Sequence, residues 1–291
     1  MFEGIHTALI TPFRAGQVDE EALRAHVERQ IEAGVDGIIP CGSTGESATL
    51  SHLEHRRVVE IAVEAAKGRV AVLAGTGSNS TREAIELTRH AKDAGADGAL
   101  LLSPYYNKPT QEGIYAHYAA IAEATRFPLV LYNIPGRTAS NIAPEIIGRL
   151  ARLEHVVGIK EASGSLDQMA HVIAKCPADF AVLSGDDSLT LPLLAIGGKG
   201  VISTTSNVAP RQMCDLVRLF LKGDLAGAQA IHYALLPLFD ALFCETNPIP
   251  VKAAAGALGW CEPEIRLPLT RITDANLERL KVVLKDLEIL R

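Results

Sequence analysis

The chain has no block of lysine and arginine: its 28 basic residues are dispersed and outnumbered by 34 acidic ones, for a net charge of −6. Nucleic acid is held by clustered positive charge, so a nucleic-acid partner is not expected. No uninterrupted apolar stretch approaches the ~20 residues of a membrane-spanning helix. The N-terminal MFEGIHTALITPF has neither a basic n-region nor a long apolar h-region. Membrane insertion and secretion are therefore both disfavoured. Cysteine is sparse: Cys41, Cys176, Cys214, Cys244 and Cys261 are scattered, odd in number and without a CxxC pair. That argues against a disulfide framework and suits the reduced packing residues of a cytoplasmic protein. His52-Leu53-Glu54-His55 is neither HExxH nor HxxEH and has no evident third ligand, so no metal is expected; histidines on a helix surface are the commoner explanation.

What the chain does have is a regular alternation. Its 291 residues, 48% hydrophobic and 21% charged, suit one large domain or a domain with an appendage. Short apolar runs at 4–9, 36–40, 69–75, 97–102, 127–133, 155–160, 180–185 and 200–204 alternate with amphipathic helical stretches. Eight strands, each followed by a helix, predict an α/β fold of the (β/α)8 TIM-barrel type. The near-repeats EAGVDGIIP and DAGADGALL read as one helix-Gly-strand unit used twice. A doubly wound open sheet is the structural alternative, weakened because no GxGxxG follows the first strand. Strand signals stop near residue 225, which divides the chain into a catalytic barrel (1–225) and a C-terminal helical region (226–291) containing AGAQAIHYALLPLFDALF and NLERLKVVLKDLEIL.

In a barrel, chemistry sits where strands end. The sixth run, HVVGIK, closes on Lys160. An amine must be neutral to attack a carbonyl, and burial disfavours an ammonium, so a lone lysine at the end of a buried strand is a candidate Schiff-base nucleophile. The second strand ends in Gly42-Ser43-Thr44-Gly45-Glu46, a turn whose hydroxyls and backbone amides suit a carboxylate and a proton relay. The fifth ends in Tyr132-Asn133-Ile134-Pro135-Gly136-Arg137-Thr138, a phenol followed by an arginine fit to grip a carboxylate at two points. The seventh ends in Ser184-Gly185-Asp186-Asp187, whose acids argue against the phosphate grip that many barrels build there. The fourth leads into Ser103-Pro104-Tyr105-Tyr106-Asn107-Lys108-Pro109, a stiff loop with paired phenols.

GSTGES, YYNKPTQEG, YNIPGRT and GIKEASG, in this order, resemble the dihydrodipicolinate synthases of the N-acetylneuraminate lyase superfamily over nearly the whole chain. The lysine and GSTGE segments are shared across that superfamily, whereas YYNKP and YNIPGRT favour the synthases. The resemblance implies a lyase of lysine and diaminopimelate biosynthesis that joins pyruvate to L-aspartate 4-semialdehyde without cofactor or metal. It makes Lys160 the Schiff-base residue and Tyr132 the central proton-transfer phenol, in a relay with Ser43 and Tyr106, the latter reaching a neighbouring subunit's site. Ser43 and Thr44 would hold the pyruvate carboxylate, Gly185 and Ile202 would line the substrate, and Arg137 would take the second substrate's carboxylate. The family usually has Thr where this chain has Ser43; the hydroxyl survives but the methyl that restricts its rotamer does not, and serine here also occurs in sialic acid lyase relatives.

The same resemblance implies a homotetramer of tight dimers and feedback inhibition by L-lysine. The inhibitor would sit in an interface cleft formed by Ser47, Ala48, His52, His55, Asn79, Glu83 and Tyr105. Two other readings stay open on sequence alone: a pyruvate-dependent aldolase or lyase acting on a keto-sugar acid, and a barrel that binds without catalysis.

Overall fold

The computed structural model describes residues 2–290. All eight expected strands form: β1 (Gly4–Ala8), β2 (Gly37–Ile39), β3 (Ala71–Gly75), β4 (Gly98–Leu102), β5 (Leu129–Asn133), β6 (Val156–Glu161), β7 (Ala181–Ser184) and β8 (Gly200–Ser203). Each pairs in parallel with the next, and β8 returns to β1 with Gly200 opposite Gly4. The sheet therefore closes into a (β/α)8 barrel, and the open-sheet alternative falls. Around it lie α1 (Glu20–Ala33), α2 (His52–Ala66), α3 (Thr81–Asp93), α4 (Gln111–Thr125), α5 (Pro144–Leu150), α6 (Leu166–Lys175), α7 (Thr190–Ala195) and α8 (Pro210–Leu221). Three helices follow: α9 (Leu225–Leu242), α10 (Ile249–Ala257) and α11 (Asp274–Asp286).

The strands read as unbroken apolar runs because both faces are buried. In β5, Val130 and Tyr132 join Ala8, Ile39, Leu73, Leu100, Leu183 and Ile202 inside the barrel, while Leu129 and Leu131 pack outward against the helices. The near-repeats are structural twins. Gly34 and Gly95 end α1 and the turn after α3 at φ 89° and 90°, a left-handed conformation that favours glycine. Asp36 and Asp97 then each accept, through Oδ2, a backbone N–H of the preceding strand, Ile5 and Val72, both at 2.8 Å.

One feature has no counterpart in the sequence reading. A two-stranded hairpin, Phe13–Arg14 with Gln17–Val18, follows β1; its strands are too short to show an alternating pattern. The helix α9 is long and apolar enough, by length and composition alone, to cross a membrane. Gln229, His232 and Asp240 interrupt its apolar run, and its Leu235, Leu238, Phe239, Ala241 and Leu242 are buried where it packs on α8 and α11.

The C-terminal region is fastened to the end of the barrel at which the strands finish. Lys252 of α10 forms a buried ion pair with Glu46 of the turn after β2. Arg266 pairs with Glu54 of α2 at 2.5 Å and donates to the carbonyl of Gly16 at 2.7 Å. Both cations lie over the ring of Phe13, at 4.0 and 4.2 Å from its centroid.

Candidate active site

Lys160 stands in β6 opposite Tyr132 of β5 and Leu183 of β7. It is buried, and its Nζ lies 4.4 Å from the centroid of the Tyr132 ring. Space for its stem depends on Gly185: a Cβ there would fall 3.1 Å from Lys160 Cε and 2.4 Å from Ala162 Cβ. The adjacent Glu161 serves the scaffold. Its buried carboxylate accepts from Asn133 Nδ2 at 3.0 and 3.2 Å, Ser163 N at 2.8 Å and Gln168 Nε2 at 3.1 Å, tying together the loops after β5 and β6.

The turn after β2 is bounded by two non-glycine residues in the left-handed region, Cys41 (φ 57°) and Glu46 (φ 54°). The amides of Gly45, Glu46 and Ser47 bond back to Gly42 and Ser43 within the turn. Those of Ser43 and Thr44 make no hydrogen bond among the described residues, so the turn offers two unengaged donors to the cavity that it lines with Lys160. Adjacent free amides in such a turn form an anion cradle.

Arg137 rises from a single helical turn, Pro135–Thr138, and its Nη2 donates to the carbonyl of Asn247 at 3.0 Å. The side chain of Asn247 in turn donates to Thr44 Oγ1 at 3.0 Å. Asn247 thus bridges the cradle and the arginine, although it lies in the segment read from sequence as an appendage. The Asn247-Pro248 pair is a local turn signal that carries nothing about its destination. Asp186, Thr204 and Phe243 also line the cavity without having been singled out as site residues.

Ser43, Thr44, Tyr132, Arg137, Lys160 and Gly185 are thus gathered around a narrow pit of about 40 Å³. Ile202 lies in the barrel's inner layer. Tyr106 stands apart, with φ 69° and 89% of its surface exposed.

A second cavity of about 550 Å³ shares Ser43, Arg137 and Asn247 with the pit and extends past Ser47, Ala48, His52, His55, Glu83 and Tyr105. Asn79 flanks it, donating to the Tyr105 carbonyl at 3.2 Å. Glu83 accepts from Ser78 Oγ and pairs with His52 at 3.3 Å. His55 Nε2 lies 2.8 Å from the Gly75 carbonyl, which can only accept, so Nε2 carries the proton. Its Nδ1 is then an acceptor, buried and without a partner among the described residues. Burial holds the His55 pKa below the ordinary histidine value, keeping the ring neutral near pH 7. The residues that resemble a metal motif diverge: His55 turns to Gly75, His52 to Glu83, and Glu54 to Arg266, whose guanidinium pulls the Glu54 pKa down to about 2.

The model of the dihydrodipicolinate synthetase family matches residues 1–287. A 4-hydroxy-tetrahydrodipicolinate synthase of Syntrophus aciditrophicus is 58% identical, with 98% of each chain covered; that of Syntrophobacter fumaroxidans is 59% identical over 97% of each. Among solved structures, dihydrodipicolinate synthase from Aquifex aeolicus superposes with a TM-score of 0.98 at 49% identity, covering 99% of both chains. The Acinetobacter baumannii enzyme complexed with pyruvate gives 0.98 at 44% identity over 100% of both chains. The Cyanidioschyzon merolae enzyme with lysine bound gives 0.96 at 43% identity over 99% of both. With a barrel whose strand ends gather an unpaired lysine, a phenol, an anion cradle and an arginine, and with likeness of this extent, the chain belongs to the dihydrodipicolinate synthetase family.

Proposed function

We propose that this protein condenses pyruvate with L-aspartate 4-semialdehyde through a Schiff base on Lys160, giving 4-hydroxy-tetrahydrodipicolinate. The observation that carries the reading is the buried Lys160 amine beside the Tyr132 ring, in a pit with the free amides of Ser43 and Thr44 at its edge. The cradle fits the pyruvate carboxylate and sets the keto carbon against the lysine. Attack by the amine and loss of water give an iminium, which accepts the electron pair when the methyl carbon loses a proton. The resulting enamine attacks the aldehyde carbon, and the aldehyde oxygen takes up a proton. The substrate's own amine then displaces Lys160, closing the ring and freeing the enzyme. Tyr132, shielded from bulk water, carries the protons, with the Ser43 hydroxyl next in the relay. Borohydride reduction with pyruvate should add one three-carbon unit at Lys160, read by peptide mass spectrometry; labelling at another residue, or none in active enzyme, would sink the mechanism.

Tyr106 is the third relay member, supplied to the neighbouring subunit of a homotetramer. Its exposed phenol and the exposed apolar residues Tyr233 and Leu225 of α9 support assembly. Mixing inactive Tyr106→Phe and Lys160→Ala subunits should restore activity in hybrid dimers, and a fully active monomer in sedimentation would contradict it.

The larger cavity is the L-lysine site. Glu83 meets the α-ammonium, Asn79 and Tyr105 the carboxylate, and the unpartnered His55 Nδ1 accepts from the side-chain ammonium. Shared lining by Arg137 and Ser43 gives occupancy a route to the catalytic pit. Activity should fall on titration with millimolar L-lysine, and Glu83→Ala or His55→Ala should blunt the effect. Inhibition that persists unchanged in both variants would remove these residues from the site.

A further inference from the structure

The reaction proposed above uses an aldehyde that is also an amino acid, and Arg137 accounts for only one of its two charged groups. The loop after β7 holds two consecutive acids whose surroundings differ. Asp187 is engaged through one oxygen and buried: its Oδ2 accepts from Thr204 N at 3.1 Å, Thr205 N at 2.8 Å and Thr205 Oγ1 at 2.8 Å, tying the ends of β7 and β8, while its Oδ1 has no partner among the described residues. Asp186 is half-buried and opens onto the Lys160 cavity. Its backbone is pinned, the N–H donating to Ser184 Oγ at 3.2 Å and the carbonyl accepting from the same hydroxyl at 2.7 Å. Its carboxylate has no hydrogen bond or ion pair among the described residues. A pinned backbone with an unengaged charge facing a reactive lysine is the arrangement of a ligand contact.

We propose that Asp186 receives the ammonium group of the amino-aldehyde substrate, so that Asp186 and Arg137 grip its two charged ends on opposite sides of Lys160. The proposal rests on the activity proposed above and names the residue that selects its second substrate. Strand order supplies the geometry: Arg137 follows β5, Lys160 ends β6 and Asp186 follows β7, three neighbours in the barrel wall. Timing supplies the charge. Burial raises the Asp186 pKa, while the positive charge of Lys160 opposes that rise. Once the iminium becomes an enamine, Lys160 is neutral, and the carboxylate has no nearby cation from that residue. The arriving ammonium supplies one. Contacts at the carboxylate, the ammonium and the reacting carbon together fix the hand of the α-carbon, favouring the L-enantiomer.

The test compares wild type with Asp186→Asn, nearly isosteric but uncharged, and with Asp186→Glu, which keeps the charge. Three measurements are made on each: borohydride trapping of pyruvate, steady-state kinetics with L-aspartate 4-semialdehyde, and inhibition by succinate semialdehyde, the same aldehyde without its amine. Asp186→Asn should trap pyruvate as wild type does and raise KM for the amino-aldehyde at least tenfold, with a smaller change in kcat. Its inhibition constant for succinate semialdehyde should stay within twofold of wild type, and Asp186→Glu should recover part of the lost affinity. An unchanged KM would overturn the assignment. So would equal weakening of both aldehydes, which would place Asp186 in support of the enamine, or loss of trapping in folded Asp186→Asn. Failure of wild type itself to trap pyruvate would instead remove the underlying activity, and this assignment with it.

Discussion

Arg137→Ala is expected to lower kcat/KM for the amino-aldehyde by about 30- to 900-fold, corresponding to about 2–4 kcal/mol of lost transition-state binding, while pyruvate trapping at Lys160 persists. Arg137 lines both the pit and the larger cavity, its guanidinium held by a single bond from Nη2 to the Asn247 carbonyl. Its remaining donors can form the two-point contact with a carboxylate that a lysine cannot reproduce. In the proposed reaction the first substrate is served by the Ser43 and Thr44 amides, which make no hydrogen bond to Arg137. Trapping and turnover should therefore separate. A parallel loss of both would mean that the arginine acts through Asn247 on the cradle. Arg137→Lys distinguishes the cases further, since it restores the charge without the fork and should recover only part of the lost rate.

Breaking the ion pair between Lys252 and Glu46 should destabilise the fold by about 3–5 kcal/mol, because either partner alone becomes a buried, uncompensated charge. Both side chains are 1% exposed. Burial drives the Lys252 pKa down, and the neighbouring carboxylate opposes that shift. Glu46 also accepts from the backbone N–H of Arg266 at 3.2 Å, so its carboxylate joins two parts of the C-terminal region to the cradle turn. Glu46→Gln and Lys252→Met should each lower the denaturant midpoint of unfolding sharply. The double variant should recover much of the loss, because it removes both charges. Since Glu46 ends the turn that presents Ser43 and Thr44, the single variants should also raise KM for pyruvate. Singles with wild-type midpoints, or a double variant that loses the sum of the two, would contradict this account.

The parts of the protein that could be read directly from the chain are those governed by local spacing. Eight buried runs, each followed by an amphipathic helix, are enough to specify a parallel barrel, because buried parallel strands must be apolar on both faces. Barrel order then places Tyr132 beside Lys160 with no further information, since consecutive parallel strands are neighbours. The twin Gly-Asp units likewise announce their helix ends through residue type alone. Position in the barrel was thus largely a matter of sequence.

Which polar groups are satisfied and which are left open was decided only by the tertiary structure. Asp186 and Asp187 are adjacent and chemically identical, yet the close of the barrel surrounds Asp187 with the Thr204 and Thr205 donors and leaves Asp186 facing Lys160. Asn247 and Lys252 reach the catalytic turn across separations of 203 and 206 residues, beyond anything a local pattern encodes. Residue type tells which groups are able to pair. A hydrogen bond or ion pair also requires a partner within a few ångströms at the right angle, and for distant segments only packing sets that distance.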